Sequence, residues 1–450
     1  MASSTVAIII IVITIAFFIW GKFPMSVVSM AGAVAMAILV PEVELSAVYE
    51  GFSSSGWIMV VGMCVVSAAL FETGVAERIG KIIGNSWWGK SERRFVVAAA
   101  TCCTIMSAFM SNNGTVAIWM PLIAIVAAGS AGKIHSKMVI FAAGTGAIIG
   151  GGSTLIGSTS QLAANSVLQG YKGYEAGLGV FDMTKIMLPV CIVQIIFWGT
   201  LGYWLLKKVL KPGSPHFNDG NIYAEELFKD TGVDKYADVP KWKGNVALGT
   251  MILCIFLFII QGFEPFSNYL NIGLIGMIGA VIVIATGCIG AKQAYADLPW
   301  DVFIVIGTVS TLGTGLDVTG GGEMIANFVL NFFGGENASV PVLTVVIAVL
   351  CSILTNFMQN NATAAMLCPI CIPMAIALGI SPVPWVILIA ATSNFAIATS
   401  YGTAVNIQIL PAGYKFMDYV KIGGPLLIIS IIVVSIAVNV VLFESSKNSK

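Results

Sequence analysis

Long apolar runs broken by short polar stretches dominate the chain from end to end. Runs near 4–20, 25–41 and 56–76 each hold about the 20 apolar positions that a bilayer crossing needs. A stretch at about 95–130 is apolar on both flanks and polar at its centre, and runs near 137–170 and 183–207 follow it. The polar segment from Lys211 to Lys243, with Pro212, Pro215, Asp219, Glu225, Glu226 and Asp230, closes this series. A second series then repeats the order, with runs near 245–262, 270–290 and 299–318, a fractured stretch at about 341–379, and runs near 383–409 and 420–443. The pattern predicts an all-α polytopic membrane protein. The first run, Thr5 to Trp20, has no basic leader region and no small-residue cleavage site, so it is expected to be a retained span.

The two series match in detail. Gly56-Trp57 followed by Val60-Val61-Gly62 is answered by Pro299-Trp300 followed by Val305-Ile306-Gly307. Ser111-Asn112-Asn113-Gly114-Thr115, with Pro121 beyond it, is answered by Gln359-Asn360-Asn361-Ala362-Thr363, with Pro369 beyond it. Gly157-Ser158 is answered by Gly402-Thr403. Three landmarks in one order at nearly constant offset indicate an internal duplication. The expected organisation is a first repeat over 1–208, a linker over 209–243 and a second repeat over 244–450.

Charge decides how each half threads the bilayer. If each fractured stretch enters and leaves on one side, Lys22, Arg78, Lys90, Arg93, Lys133, Lys207, Lys292 and Lys415 all face the cytoplasm. Lys172, Lys185, Lys447 and Lys450 then fall outside, with the acidic Pro41-Glu42-Val43-Glu44 loop and both termini. A plain crossing at either stretch would split its flanking charges between the two faces. Each half is therefore expected to hold five transmembrane helices and one re-entrant hairpin, with the second half inverted relative to the first.

The polar centres carry the chemistry. Polar groups at membrane depth are costly unless satisfied, and irregular backbone is tolerated there only inside protein or against a wet cavity. A hairpin tip at mid-bilayer aims the N-terminus of its second helix, with free N–H groups and about half a unit of positive charge, at an anion. Carbonyls and Ser, Thr and Asn oxygens beside the tip suit a small hard cation. The runs Gly150 to Gln161 and Ala398 to Asn406 interrupt apolar spans in the manner of discontinuous helices. A lone Ser or Asn in a membrane helix is ordinarily interhelical glue. Paired tips and paired breaks argue for one shared site instead.

Composition narrows the function. The chain is 57% hydrophobic and only 10% charged, with zero formal net charge and 48 glycines, which fits closely packed membrane helices and excludes a nucleic-acid binder. The nine cysteines sit in apolar runs without metal-ligand spacing. No Ser-His, His-Glu or paired-Asp set lies at membrane depth, so an intramembrane enzyme is not expected. His135 and His216 fall in aqueous segments, and Glu72 and Asp317 are read as helix-end charges. With no carboxylate in the tips or breaks, sodium is the expected coupling ion rather than the proton.

These residues resemble the divalent anion:sodium symporter family, carriers of dicarboxylates, citrate or sulfate, over nearly the whole chain. The family's Ser-Asn-Thr hairpin signature appears here as Ser111-Asn112-Asn113 and Gln359-Asn360-Asn361. The Pro-Pro-Asn usual after each break is Thr159-Ser160-Gln161 in one half and Ala404-Val405-Asn406 in the other. By this resemblance one sodium would meet Ser107, Ser111, Asn112 and Gly157, and another Thr355, Met358 through its carbonyl, Asn360 and Gly402. Substrate oxygens would meet Asn112, Asn113, Ser158, Asn360, Asn361 and Thr403. The resemblance further implies an inner-membrane homodimer working as an elevator, with connecting arms near Ala76–Asn85 and Glu323–Phe333. Sodium-driven symport of a small divalent anion is the leading expectation. An anion exchanger and a sodium/proton antiporter of the same superfamily are the alternatives.

Overall fold

The computed structural model describes residues 2–20, 22–75, 86–130, 132–212, 239–261, 266, 269–296, 298, 300–322, 324, 339–357, 359–400 and 402–448. The expected connecting arms, most of the linker and Met358 lie outside the described residues. The described secondary structure is entirely helical.

The first half contains α1 (Ser3–Trp20), α2 (Met25–Leu39), α3 (Ser55–Glu72), α4 (Glu92–Ser107), α5 (Asn112–Gly129), α6 (Ser136–Gly151), α7 (Thr159–Gln169), α8 (Asp182–Gly199) and α9 (Leu201–Leu210). The second contains α10 (Lys241–Ile260), α11 (Ile272–Ala285), α12 (Ala291–Ala296), α13 (Trp300–Thr319), α14 (Val340–Thr355), α15 (Asn360–Ala377), α16 (Val383–Thr392), α17 (Ala404–Ile409) and α18 (Gly424–Asn448). Two apolar runs are thus broken where the polar runs were read, between α6 and α7 and between α16 and α17.

The run near 183–207, expected as one crossing, is two helices. The ladder breaks at Thr200 (φ −130°, ψ −102°), and the Arg93 Nε donates at 2.7 Å to the carbonyl of Gly199. A charged donor from α4 thereby satisfies a backbone acceptor beside the break. Among the described residues, the stretches Asp182–Gly199, Lys241–Phe258, Asn360–Ala377 and Phe416–Phe443 are each long and apolar enough to cross a membrane. The apolar helices Ser136–Gly151, Ile272–Ala285, Val340–Thr355 and Val383–Thr392 are shorter, at 10–17 residues. A helix of 18 residues is about 27 Å long, near the hydrocarbon thickness. The α15 stretch is 72% buried within the protein, so its surroundings are mostly other helices.

Packing sorts the helices into two groups. In one, α3 lies against α11, α2 against α13, and α1 and α10 cover α2 and α11. Gly62 of α3 and Gly276 of α11 meet backbone to backbone, an approach that a Cβ on Gly62 would prevent. In the other group, α4 and α5 pack on α6, α14 packs on α16 and α18, and α8 packs on α18. Gly146 and Gly150, one turn apart on α6, lie against the backbone of Ala100 and Thr104 on α4. The groups touch mainly where α7 meets α13, and Ser166 donates there to the carbonyl of Ile306 at 2.6 Å. The arm α15 also crosses to the first half to pack on α7, while α5 crosses to pack on α17.

Candidate functional site

Each fractured stretch is a helix, a tight turn and a second helix of matching length. Ser111 (φ −62°, ψ 143°) precedes α5, and Gln359 (φ −66°, ψ 143°) precedes α15. The Ser111 hydroxyl caps α5 by accepting from the Gly114 N–H at 3.2 Å. The residues before α7 and α17 share one extended conformation, with Ser158 at φ −147°, ψ 153° and Thr403 at φ −146°, ψ 153°. An extended residue at that place leaves the first N–H groups of α7 and α17 without intrahelical partners.

Side chains repeat the pattern. Ser107 Oγ donates to Asn112 Oδ1 at 2.7 Å, and Thr355 Oγ1 lies 2.9 Å from Asn360 Oδ1. Thr154 donates to the carbonyl of Ala108, and Thr399 donates to the carbonyl of Asn356 at 2.6 Å. Gln161 Nε2 donates to the carbonyl of Gly151, and Asn406 Nδ2 to that of Ala396, both at 2.7 Å. Each bond in one half has its counterpart in the other, so both turns and both breaks are held by equivalent means.

The turns and breaks converge on one cavity of about 790 Å³. Its wall includes Ser111, Asn112 and Asn113 from the first turn and Asn360 and Asn361 from the second. Gly157, Ser158, Gly402 and Thr403 complete it from the breaks. Ser107 and Thr355 stand behind the wall, fully buried, and reach the cavity only through Asn112 and Asn360. Met358 lies outside the described residues. Thr159 Oγ1 donates to Asn361 Oδ1 at 2.6 Å, joining the start of α7 to the opposite turn.

Two chemical features follow from these contacts. The carboxamide oxygens of Asn112, Asn360 and Asn361 each face a hydroxyl, so their N–H groups remain for a ligand in the cavity. Thr355 Oγ1 also contacts the carbonyl of Ser393, so three oxygens meet around a single hydroxyl proton. Oxygen-rich clusters short of protons favour a small hard cation. In the first half, a Cβ on Gly157 would come within 2.5 Å of the Gly151 carbonyl and 2.6 Å of the Ser107 carbonyl. Only glycine lets those two carbonyls approach the break.

The helix-end reading of Asp317 fits its contacts, since its Oδ2 accepts the Lys172 N–H at 3.1 Å. Glu72 differs. It ends α3 and also lines the cavity, where among the described residues it is the one carboxylate, with no lysine, arginine or histidine beside it. Position at a helix end was legible in the sequence, but the cavity that brings α3 to the turns is a tertiary fact. Sequence reasoning also passed over Asn356. Its side chain donates to the carbonyls of Ser352 at 2.7 Å and Phe395 at 3.1 Å and accepts the Ala398 N–H at 3.0 Å, fastening the second break. The signal was its place one residue after Thr355, within the polar stretch. Among the described residues no cluster of His, Cys, Asp and Glu suits a resident metal ion.

A family model described as citrate transporter matches residues 15–390 and 255–450. The uncharacterized transporter sll0640 of Synechocystis is 26% identical over 188 residues, covering 42% of this chain. The chain spans only 29% of that relative's length. The sodium-dependent dicarboxylate transporter SdcS of Staphylococcus saprophyticus is 26% identical over 397 residues, covering 81% of this chain and 72% of the relative. A probable sodium/sulfate cotransporter of Chlamydomonas reinhardtii is 28% identical over 273 residues, covering 58% of this chain and 28% of the relative. Among solved structures, the Neisseria gonorrhoeae transporter MtrF, one of a class of antimetabolite efflux pumps, superposes with a TM-score of 0.63 at 13% identity. The superposition covers 98% of this chain and 95% of that one, a likeness of fold alone.

Proposed function

This chain belongs to the citrate transporter family of multi-pass membrane carriers, and from that premise we propose that it couples sodium entry to the uptake of a small divalent anion. The observation that carries this reading is the convergence of Asn112, Asn360 and Asn361 on one cavity with their carboxamide oxygens facing hydroxyls. N–H groups and helix starts bind the anion. Ser158 and Thr403, at the starts of α7 and α17, add hydroxyls to it, and Asn113 adds a carboxamide.

Sodium occupies the oxygen clusters formed by the wall and the hydroxyls just behind it. In the first half these are Ser107, Ser111, Asn112 and Gly157. In the second they are Thr355, Asn360 and Gly402; the Met358 carbonyl, the remaining expected ligand, lies outside the described residues. Each asparagine then serves both ligands, its oxygen on the cation and its N–H groups on the anion. Because no fixed cation lines the cavity among the described residues, sodium supplies the positive charge that a divalent anion needs. The names of the dicarboxylate and sulfate relatives support both the ion and the substrate class.

The two halves, 1–208 and 244–450, are inverted repeats in this reading, with the 209–243 linker cytoplasmic and both termini outside. The turns between α4 and α5 and between α14 and α15 are tips of re-entrant hairpins. The group formed by α4–α9 and α14–α18 moves as an elevator against the group built on α3, α11 and α13, which supplies the homodimer contact. Sparse contact between the groups away from α7 and α13 supports the division.

Uptake of succinate, citrate or sulfate into proteoliposomes tests the proposal. The expected result is accumulation that requires an inward sodium gradient, and uptake indifferent to sodium overturns it. Glu72 in the cavity wall favours a second reading, sodium/proton exchange. Proton flux reported by a dye, driven by sodium without any anion, would establish that reading instead.

A further inference from the structure

A second cavity, of about 410 Å³, lies at the base of the α4–α5 unit, away from the first. Lys90 comes from the turn before α4, Lys133 from the turn before α6, and Lys207 from the last turn of α9. Glu92, His135 and Tyr203 form its floor. Three segments distant in sequence therefore place three lysines around one hollow.

The one carboxylate among the described residues lining this hollow is already engaged. Glu92 is 8% exposed, and its Oε2 accepts from the His135 N–H at 3.0 Å and lies 2.6 Å from His135 Nδ1. Its other oxygen accepts the Tyr203 hydroxyl at 2.9 Å. Among the described residues no carboxylate forms an ion pair with Lys90, Lys133 or Lys207. Lys207 Nζ sits 4.8 Å from the centroid of the Tyr203 ring, a contact that leaves its charge open to an anion. The first N–H groups of α4 also start here, since Ser91 does not cap them with its side chain.

Lysines near the cytoplasmic ends of spans are ordinary, and spread over a flat surface they would need no explanation. Here they converge on a concavity. Like charges brought together repel unless an anion sits among them. The rim adds a second indication. Trp87 and Trp204 are 55% and 53% exposed, with the Arg94 guanidinium 3.7 Å from the Trp87 ring centroid and Lys208 Nζ 4.6 Å from that of Trp204. Exposed tryptophans beside basic residues mark the headgroup level of a bilayer.

We propose that this hollow binds a phosphate-bearing anion, with Lys90, Lys133 and Lys207 as its ligands and the Glu92–His135–Tyr203 set as the floor that holds them in place. Basic pockets at the membrane interface take phospholipid headgroups, and free phosphate offers the same chemistry. The bound anion ties the entry and exit of the α4–α5 unit to α9, so it stabilises the base on which the first turn stands.

The test uses the full chain purified in a neutral detergent, read by thermal unfolding and by native mass spectrometry. Phosphatidylglycerol, phosphatidylcholine of the same acyl chains and inorganic phosphate are added separately. Phosphatidylglycerol is expected to raise the melting temperature and remain bound, while phosphatidylcholine does neither. Inorganic phosphate reproducing the shift identifies the free anion as the source. Each lysine removed should weaken binding about fivefold, and K90Q/K133Q/K207Q together roughly a hundredfold. If the triple variant fails to fold, K133Q alone against K292Q, which lies outside the hollow, decides the matter. Equal binding to K133Q and K292Q, or no response to either phosphate source, overturns the proposal.

Discussion

Asn406 makes for the second half the bond that Gln161 makes for the first, each side-chain amide donating at 2.7 Å to the carbonyl ten residues before it. Both side chains are fully buried, and each spans the helix break that precedes it. Asn406 also donates to the Thr399 carbonyl at 2.7 Å. As a sequence, Thr159-Ser160-Gln161 looked like a departure from the family's pattern. In the structure the longer glutamine reaches the carbonyl that matches the asparagine's.

Replacing either residue with leucine removes a donor and strands a buried carbonyl. Such a loss costs about 1–3 kcal/mol. Gln161→Leu and Asn406→Leu are each expected to lower the melting temperature of the purified protein and to abolish uptake. An unchanged melting temperature in both would show that the breaks are held by other contacts.

Asn112→Ala and Asn360→Ala are expected to abolish transport while leaving folding intact. Each asparagine is the first residue of its helix and lines the cavity, so truncation removes ligand contacts and little packing. Uptake assays beside size-exclusion profiles separate the two effects. Wild-type uptake in both variants would remove the turns from the site.

Thr355 tests the cation. Its hydroxyl is fully buried and touches Asn360 Oδ1 and the Ser393 carbonyl. Thr355→Val keeps the shape and deletes one oxygen. The expected outcome is a sodium half-saturation raised about tenfold, equivalent to about 1.4 kcal/mol, with the anion's maximal uptake recovered at high sodium. Ser107→Ala should act in the same way on the other cluster.

Lys90 and Lys133 line one hollow, although 43 positions and two helices separate them. Cysteines substituted at these two positions are expected to react with a membrane-impermeant reagent from the same face of the membrane. Labelling from opposite faces would make the α4–α5 unit a plain crossing and end the hairpin reading.

Much of this arrangement was legible because the same residue pattern occurs twice along the chain. Asn112-Asn113 and Asn360-Asn361 stand at equivalent places, and a polar tip repeated in apolar surroundings leaves few physical explanations. The breaks at Gly157 and Gly402 were legible for the same reason. What stayed hidden were contacts that depend on packing between halves. The bond from Thr159 to Asn361 spans 202 positions, and no local pattern announces it. The split at Thr200 was hidden because the run continues largely apolar on both sides of Gly199-Thr200-Leu201-Gly202, and the arginine that stabilises it comes from α4.

Glu72 offers the sharpest test of how the cavity handles charge. Among the described residues it is the lone carboxylate in a wall otherwise made of amides, hydroxyls, one thiol and apolar groups. Among the described residues no hydrogen bond or ion pair engages it. A unit charge about 8 Å from each charge of a bound divalent anion opposes binding by roughly 2 kcal/mol per charge, about 4 kcal/mol in all, at an effective dielectric near 20. Water in the open cavity screens part of that, so Glu72→Gln is expected to raise sulfate affinity about tenfold rather than a thousandfold. Sulfate is the suitable probe because it stays divalent across the physiological range. Its affinity should rise in the variant at fixed sodium, and the sodium requirement should weaken, since less positive charge is then needed beside the anion. If sulfate affinity falls instead, Glu72 holds a cation that the anion needs, and the carboxylate belongs with the sodium ligands.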